Sequence, residues 1–153
     1  MKNNKFTRVL AVFAVAGLAT ITPAAAYVST ASAAIIGIAA GVICYLAVEL
    51  KNKLRWDDAL DVWGVHGVGG ALGIVLLGVF GSTVINEAGA NGLIHGGGSF
   101  FILQVLAVIG SSIYAFVFTW VMLWLINKIT PVKTTQEEEG TLDESLHGES
   151  AYE

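Results

Sequence analysis

Residues 57–73 read Asp57-Asp58-Ala59-Leu60-Asp61-Val62-Trp63-Gly64-Val65-His66-Gly67-Val68-Gly69-Gly70-Ala71-Leu72-Gly73. From Val62 to Gly81 no Lys, Arg, Asp or Glu occurs, so His66 is the only titratable side chain in an apolar stretch long enough to cross a bilayer. An ionisable group at membrane depth is costly, and by default it faces a cavity or a buried partner. His66 is therefore the first candidate for a functional site. A structural histidine bonded across helices is the alternative. Gly64, Gly67, Gly70 and Gly73 recur every third residue, which predicts a strip cleared of side-chain bulk beside the imidazole. Gly69 and Gly73, like Gly37 and Gly41, also form small-xxx-small patterns that let helix backbones approach closely in lipid.

Outward from this stretch, composition agrees with a lipid environment. The chain has 153 residues, 55% of them hydrophobic even with its 18 glycines left out of that fraction. Soluble domains reach about 45–50% only when Gly is counted in. The net charge of −4 is segregated: seven of the twelve acidic residues, Glu137, Glu138, Glu139, Asp143, Glu144, Glu149 and Glu153, lie in the final tail. That tail reads as solvated and outside the membrane. Nucleic-acid binding is excluded by the lack of a basic patch with interleaved aromatics. Cys44 is the single cysteine and sits in an apolar run, so neither a disulfide framework nor a metal-spaced cluster exists. Its expected role is packing.

Apolar segments at 9–28, 33–50, 60–82 and 100–126 are each near or beyond the roughly 20 residues that span the hydrocarbon as a helix. The prediction is an all-α integral membrane protein with four transmembrane helices in residues 1–130 and an acidic tail over 131–153. All eight basic residues fall at three of the five connections or ends: Lys2, Lys5 and Arg8; Lys51, Lys53 and Arg55; Lys128 and Lys133. Residues 29–32 and 83–99 hold none. The positive-inside rule then puts both termini in the cytoplasm, with the first helix running outward. The N-terminal segment also imitates a secretory signal peptide, with Pro23-Ala24-Ala25-Ala26 as its small-residue end. Cleavage after Ala26 would leave three spans. In an uncleaved span, Pro23 is a kink or break near the outer end.

Asp57, Asp58 and Asp61 stand where the third helix begins, where a carboxylate accepts from unpaired backbone N–H groups and meets the positive end of the dipole. Capping is expected of at least one, and a charge pair with Arg55 or the tail of another. They are too few for a hard-cation site, which needs more oxygen ligands. His95 belongs to the outer connection and is expected to be exposed. Trp63, Trp120, Trp124 and Tyr114 read as interfacial or packing aromatics.

Three stretches carry a family resemblance. They are Gly17-Leu-Ala-Thr-Ile-Thr22-Pro23-Ala24-Ala25, then Arg55-Trp-Asp57-Asp58-Ala-Leu-Asp61-Val-Trp-Gly64-Val-His66-Gly67-Val-Gly-Gly70, and Gly140-Thr-Leu-Asp143-Glu-Ser-Leu-His147-Gly148-Glu149-Ser-Ala151-Tyr152. In order and spacing they resemble signatures of the ammonium transporter family, the Amt/Mep/Rh group, across almost the whole chain. The tail departs at Thr141, where the family usually carries Gly. The resemblance implies a membrane fold of eleven helices in two oppositely oriented halves, assembled as trimers with one pore per subunit. This chain is similar to the last four helices and the cytoplasmic tail, a partial ammonium-transporter fold. His66 matches the second of the family's two pore histidines.

The implied function is transmembrane movement of ammonium or ammonia, as a C-terminal fragment that needs the missing N-terminal half. No catalytic residue, cofactor or metal is implied, because nothing beyond a proton changes hands. Gly64, Gly67, Gly69, Gly70 and Gly73 would pack helices around the pore, and Asp57, Asp58 and Asp61 would lie near its entrance. Asp143, His147, Gly148, Glu149 and Tyr152 would form a regulatory tail that packs under neighbouring subunits, near the docking place of P-II type signalling proteins. The implied setting is the cell's inner or plasma membrane, with a homotrimer once the full-length context is restored. Two alternatives differ in class: a small stand-alone membrane protein serving interaction or regulation through its tail, and a cleaved three-span envelope protein.

Overall fold

The computed structural model describes residues 5–133 and Gly148, with side chains from residue 9 onward. The tail residues Asp143, His147, Glu149 and Tyr152 lie outside the described residues. Every regular element among the described residues is helical. α1 spans Lys5–Ile21, α2 Thr30–Leu54, α3 Gly69–Phe80 and α4 Gly98–Asn127. A π-helical turn, Trp63–Val68, leads into α3, and short 3-10 turns cover Thr22–Ala24 and Leu93–His95. Three helical stretches are long and apolar enough to cross a membrane: Thr30–Leu54, Trp63–Phe80 and Gly98–Asn127. The apolar N-terminal stretch Val9–Ala24 is shorter.

The apolar run that continues to Val28 in the sequence is α-helical only to Ile21. Pro23 has no N–H to donate, so the chain tightens into the Thr22–Ala24 turn, with the Thr22 hydroxyl donating to the Leu18 carbonyl at 2.8 Å. Ala26 then takes φ +66, and Ser29 starts α2 by accepting from the Ser32 N–H at 3.2 Å. At its other end α2 closes on Arg55, at φ +55, while the Trp56 N–H returns to the Lys51 carbonyl at 3.2 Å. This is the left-handed helix ending usually taken by glycine.

The chain divides into two compact units, 1–110 and 111–153. In the first, α1 packs against α2 and α3. Val12, Ala16 and Thr20 on α1, continued by Ala24 in the turn that follows it, are buried at i, i+4 spacing, and Ile36, Ala40, Cys44 and Val48 are their counterparts on α2. One buried cluster joins Ala16, Cys44, Val48 and Val65; another joins Ala24, Val28 and Ile36, with Leu76, Leu77 and Phe80 against it.

The connection 81–97 is an ordered knot. The Ser82 N–H donates to the Tyr27 carbonyl at 3.0 Å, and the Thr83 N–H and hydroxyl both donate to Asn91 Oδ1 at 3.0 Å. The Gly92 N–H closes the loop on the Gly81 carbonyl at 2.7 Å. In the second unit, Tyr114 and Phe118 stack at 5.7 Å between ring centres, and Lys128 sits 3.5 Å above the Trp124 ring.

Candidate functional site

His66 lies in the π-helical turn and is exposed, facing an open groove of about 560 Å³. The groove is apolar: Val15, Leu18, Ala19 and Pro23 line it from the α1 side, Gly70 and Ile74 from α3, with the Thr22 hydroxyl at its margin. His66 is its sole titratable side chain. A neutral imidazole offers one donor and one acceptor there without a permanent charge.

The glycines beside it divide in a way that their threefold recurrence does not predict. A Cβ on Gly64 would meet Val48 Cγ2 at 2.7 Å, and one on Gly69 would meet Thr20 Oγ1 at 2.8 Å and Cys44 Sγ at 3.2 Å. On Gly73 it would run into the Thr20 carbonyl and Pro23. Gly70 has open space, and a Cβ on Gly67 would touch only Trp63, at an ordinary 3.7 Å. The packed glycines are therefore 64, 69 and 73, and the open ones are 67 and 70. The wider π turn explains this division. It adds a residue to the repeat, so Gly64 and Gly69, five apart, share a face that a 3.6-residue helix would separate. Such turns are frequent at functional sites.

Thr20 is a buried polar contact against the packed face of α3, and reading the sequence passes over it. It is fully buried, its hydroxyl has no conventional hydrogen-bond partner among the described residues, and its neighbours are the Cys44 thiol and the Gly69 backbone. The signal for it was the spacing of Val12, Ala16, Thr20 and Ala24.

Two of the aspartates organise the start of this helix. The Asp58 carboxylate accepts from the Val62 and Trp63 N–H groups, each at 2.9 Å. The Trp63 amide, helped by the Val62 amide and the Lys51 ammonium, holds its carboxyl below the usual range against an opposing, smaller effect of partial burial. Asp61, at φ +55, pairs with Lys51 at 2.6 Å and, among the described residues, not with Arg55; the tail lies outside the described residues. Asp57 is exposed. Lys51 itself is 4% exposed and also donates to the Asp58 carbonyl. Its burial was legible as the next helical position after Cys44, Ala47 and Val48. His95 is exposed in the 3-10 turn that ends on Gly96, at φ +83. Among the described residues, no group of three His, Cys, Asp or Glu side chains could hold a metal ion.

Comparison with known proteins places this geometry. The model of the Ammonium Transporter Family matches residues 1–152. The chain belongs to the ammonium transporter family. An ammonium transporter of Bacillus subtilis is 42% identical over 141 residues, which cover 91% of this chain and 35% of the relative. The ammonium transporter Amt1 of Archaeoglobus fulgidus is 38% identical over 140 residues, again 91% and 35%. The crystal structure of Candida albicans Mep2 superposes with a TM-score of 0.70 at 31% identity, over 83% of this chain and 29% of that one. The chain thus spans about a third of the length of the curated relatives it matches. It is a multi-pass, all-helical membrane protein carrying part of the ammonium-transporter fold.

Proposed function

We propose that this chain supplies one wall of an ammonium-conducting pore and that His66 stands in the path of the permeating species. The observation that carries the reading is the placement of His66 as the sole titratable group on an open, apolar groove between α1 and α3. An apolar lining disfavours hydrated cations, whose desolvation is not repaid there, and admits a small neutral amine more readily. The imidazole can donate to such a molecule, accept from it, or relay its proton, so the chemistry is passage and not catalysis. The groove's open side needs a further wall, which helices outside this chain would supply. In the same reading both termini are cytoplasmic, since the basic residues mark one side of every span. The complete assembly is a homotrimer in the cell membrane, and the acidic tail adjusts its activity with a P-II type signalling protein as a candidate partner.

The test joins this chain to the missing helices of a related transporter in cells that lack their own ammonium uptake. The joined protein should support growth on low ammonium, and the 153-residue chain alone should not. In the joined protein, His66→Ala should lower or alter ammonium flux by roughly tenfold with assembly intact, the scale of one lost hydrogen bond to a buried substrate. His66→Glu should admit other cations, because a fixed negative charge stabilises ions that a neutral ring does not. Unchanged flux and selectivity in both variants would make His66 structural. Growth rescued by this chain alone would remove the requirement for a further wall.

A further inference from the structure

The last turn of α2 carries a cation that the groove does not use. Lys51 is 4% exposed, although a lysine placed only to complement the negative end of a helix dipole works equally well in water. Burying an ammonium is costly unless charge and hydrogen bonds compensate. Here they do so across the connection: Lys51 Nζ donates to Asp61 Oδ1 at 2.6 Å and to the Asp58 carbonyl. Both acceptors belong to the segment that begins the next helix. The Asp58 carboxylate receives the Val62 and Trp63 amides, and the Asp61 carbonyl receives the Val65 N–H at 3.0 Å. Trp63 and Val65 lie in the π turn itself, one residue or a few before His66.

We infer that Lys51 is a positioning residue for His66: its clasp on Asp58 and Asp61 sets the start, and hence the register, of the π turn that aims the imidazole into the groove. The physical reason is that helix phase propagates from its first fixed residues. A π turn holds one more residue than the α-helical alternative, so losing the clasp lets Trp63–Val68 relax toward α geometry. That relaxation rotates His66 away from Gly70 and Ile74. Asp61 supports the point, since a non-glycine residue at φ +55 persists only where its surroundings hold it there. The inference rests on the reading of His66 as groove-facing and functional, but its test does not measure transport.

The full chain in lipid nanodiscs is treated with diethyl pyrocarbonate, and modification of His66 is followed by peptide mass spectrometry against His95 as internal reference. Maleimide labelling of the fully buried Cys44 reports whether the core stays closed. Lys51→Met should change the His66-to-His95 rate ratio by roughly threefold or more with Cys44 still protected, a factor typical of coupled neighbours. Lys51→Arg, which keeps the cation, should return the ratio to within about twofold of the parent. An unchanged ratio in Lys51→Met overturns the inference, and so does a changed ratio with Cys44 labelled, because the lysine would then hold the core and not the ring. Should Lys51→Met fail to insert, Asp61→Asn breaks the same ion pair and is judged by the same two readouts. Ammonium flux unaffected by His66→Ala would instead remove the pore reading and leave the clasp standing.

Discussion

Two faces of the helix from Trp63 to Phe80 use glycine for opposite ends. On one, Gly64, Gly69 and Gly73 give up their side chains so that Val48, Cys44, Thr20 and Pro23 can press against the backbone. On the other, Gly70 borders the groove that His66 faces and nothing presses on it, while a Cβ on Gly67 would touch only Trp63 at 3.7 Å. The same residue type thus closes a protein interface on one side and leaves a space open on the other. Close approach is the source of helix association in lipid, where no hydrophobic difference drives the helices together. The packed face should therefore govern stability, and the open face should govern whatever occupies the groove.

The hardest way to break this contrast is Gly73→Leu. Its Cβ would collide with the Thr20 carbonyl, backbone that cannot swing aside, so a destabilisation of about 3 kcal/mol or more is expected. Thermal unfolding in detergent, or loss of Cys44 protection from maleimide, checks it. Gly64→Ala is a milder case. Its first obstacle is the Val48 side-chain tip, with the Val48 backbone N next at 3.2 Å, so a loss of about 1–2 kcal/mol is expected by the same measurement.

The polar start of the helix sharpens the comparison through pH. Asp58 has its carboxyl lowered in the folded protein, so its contribution is complete above the unfolded carboxylate value of about 3.9. It is lost as pH falls through the lower folded value. Hydrogen-exchange protection of the Val62 and Trp63 amides, corrected for intrinsic rates, should drop in that acid window. Asp58→Asn should lower protection at neutral pH and abolish the acid dependence; an acid drop that persists in the variant would assign it to another group. The smallest effect belongs to the open face. Gly70→Ala meets no atom, and Ala suits a helix better than Gly by up to about 1 kcal/mol, so stability should stay level or rise slightly. A large loss there would erase the distinction between the faces.

Much of this was legible along the chain. Apolar length, the absence of charge from Val62 to Gly81, and Pro23 as a break near the end of the first helix all follow from the cost of exposing polar groups or a missing N–H to lipid. Asp57, Asp58 and Asp61 stand out as helix-start residues, but the sequence offers Arg55 or the tail as the charge partner for one of them, and not Lys51, which Asp61 takes. Lys51 was counted only as one of the basic residues at its end of the span. In the structure it lies one turn beyond Ala47 and Val48, on the buried side of α2.

The sequence by itself determined that this chain is helical, lies in a membrane and belongs with the ammonium transporters, because hydropathy, charge segregation and three signatures are written in residue order. Only the tertiary structure decided which glycines pack and which stand open. That choice depends on a π turn between Trp63 and Val68, whose extra residue shifts the phase of everything after it. Backbone phase is set by long-range clasps such as Lys51 to Asp61, and contacts between residues ten apart leave no periodic trace in the letters between them.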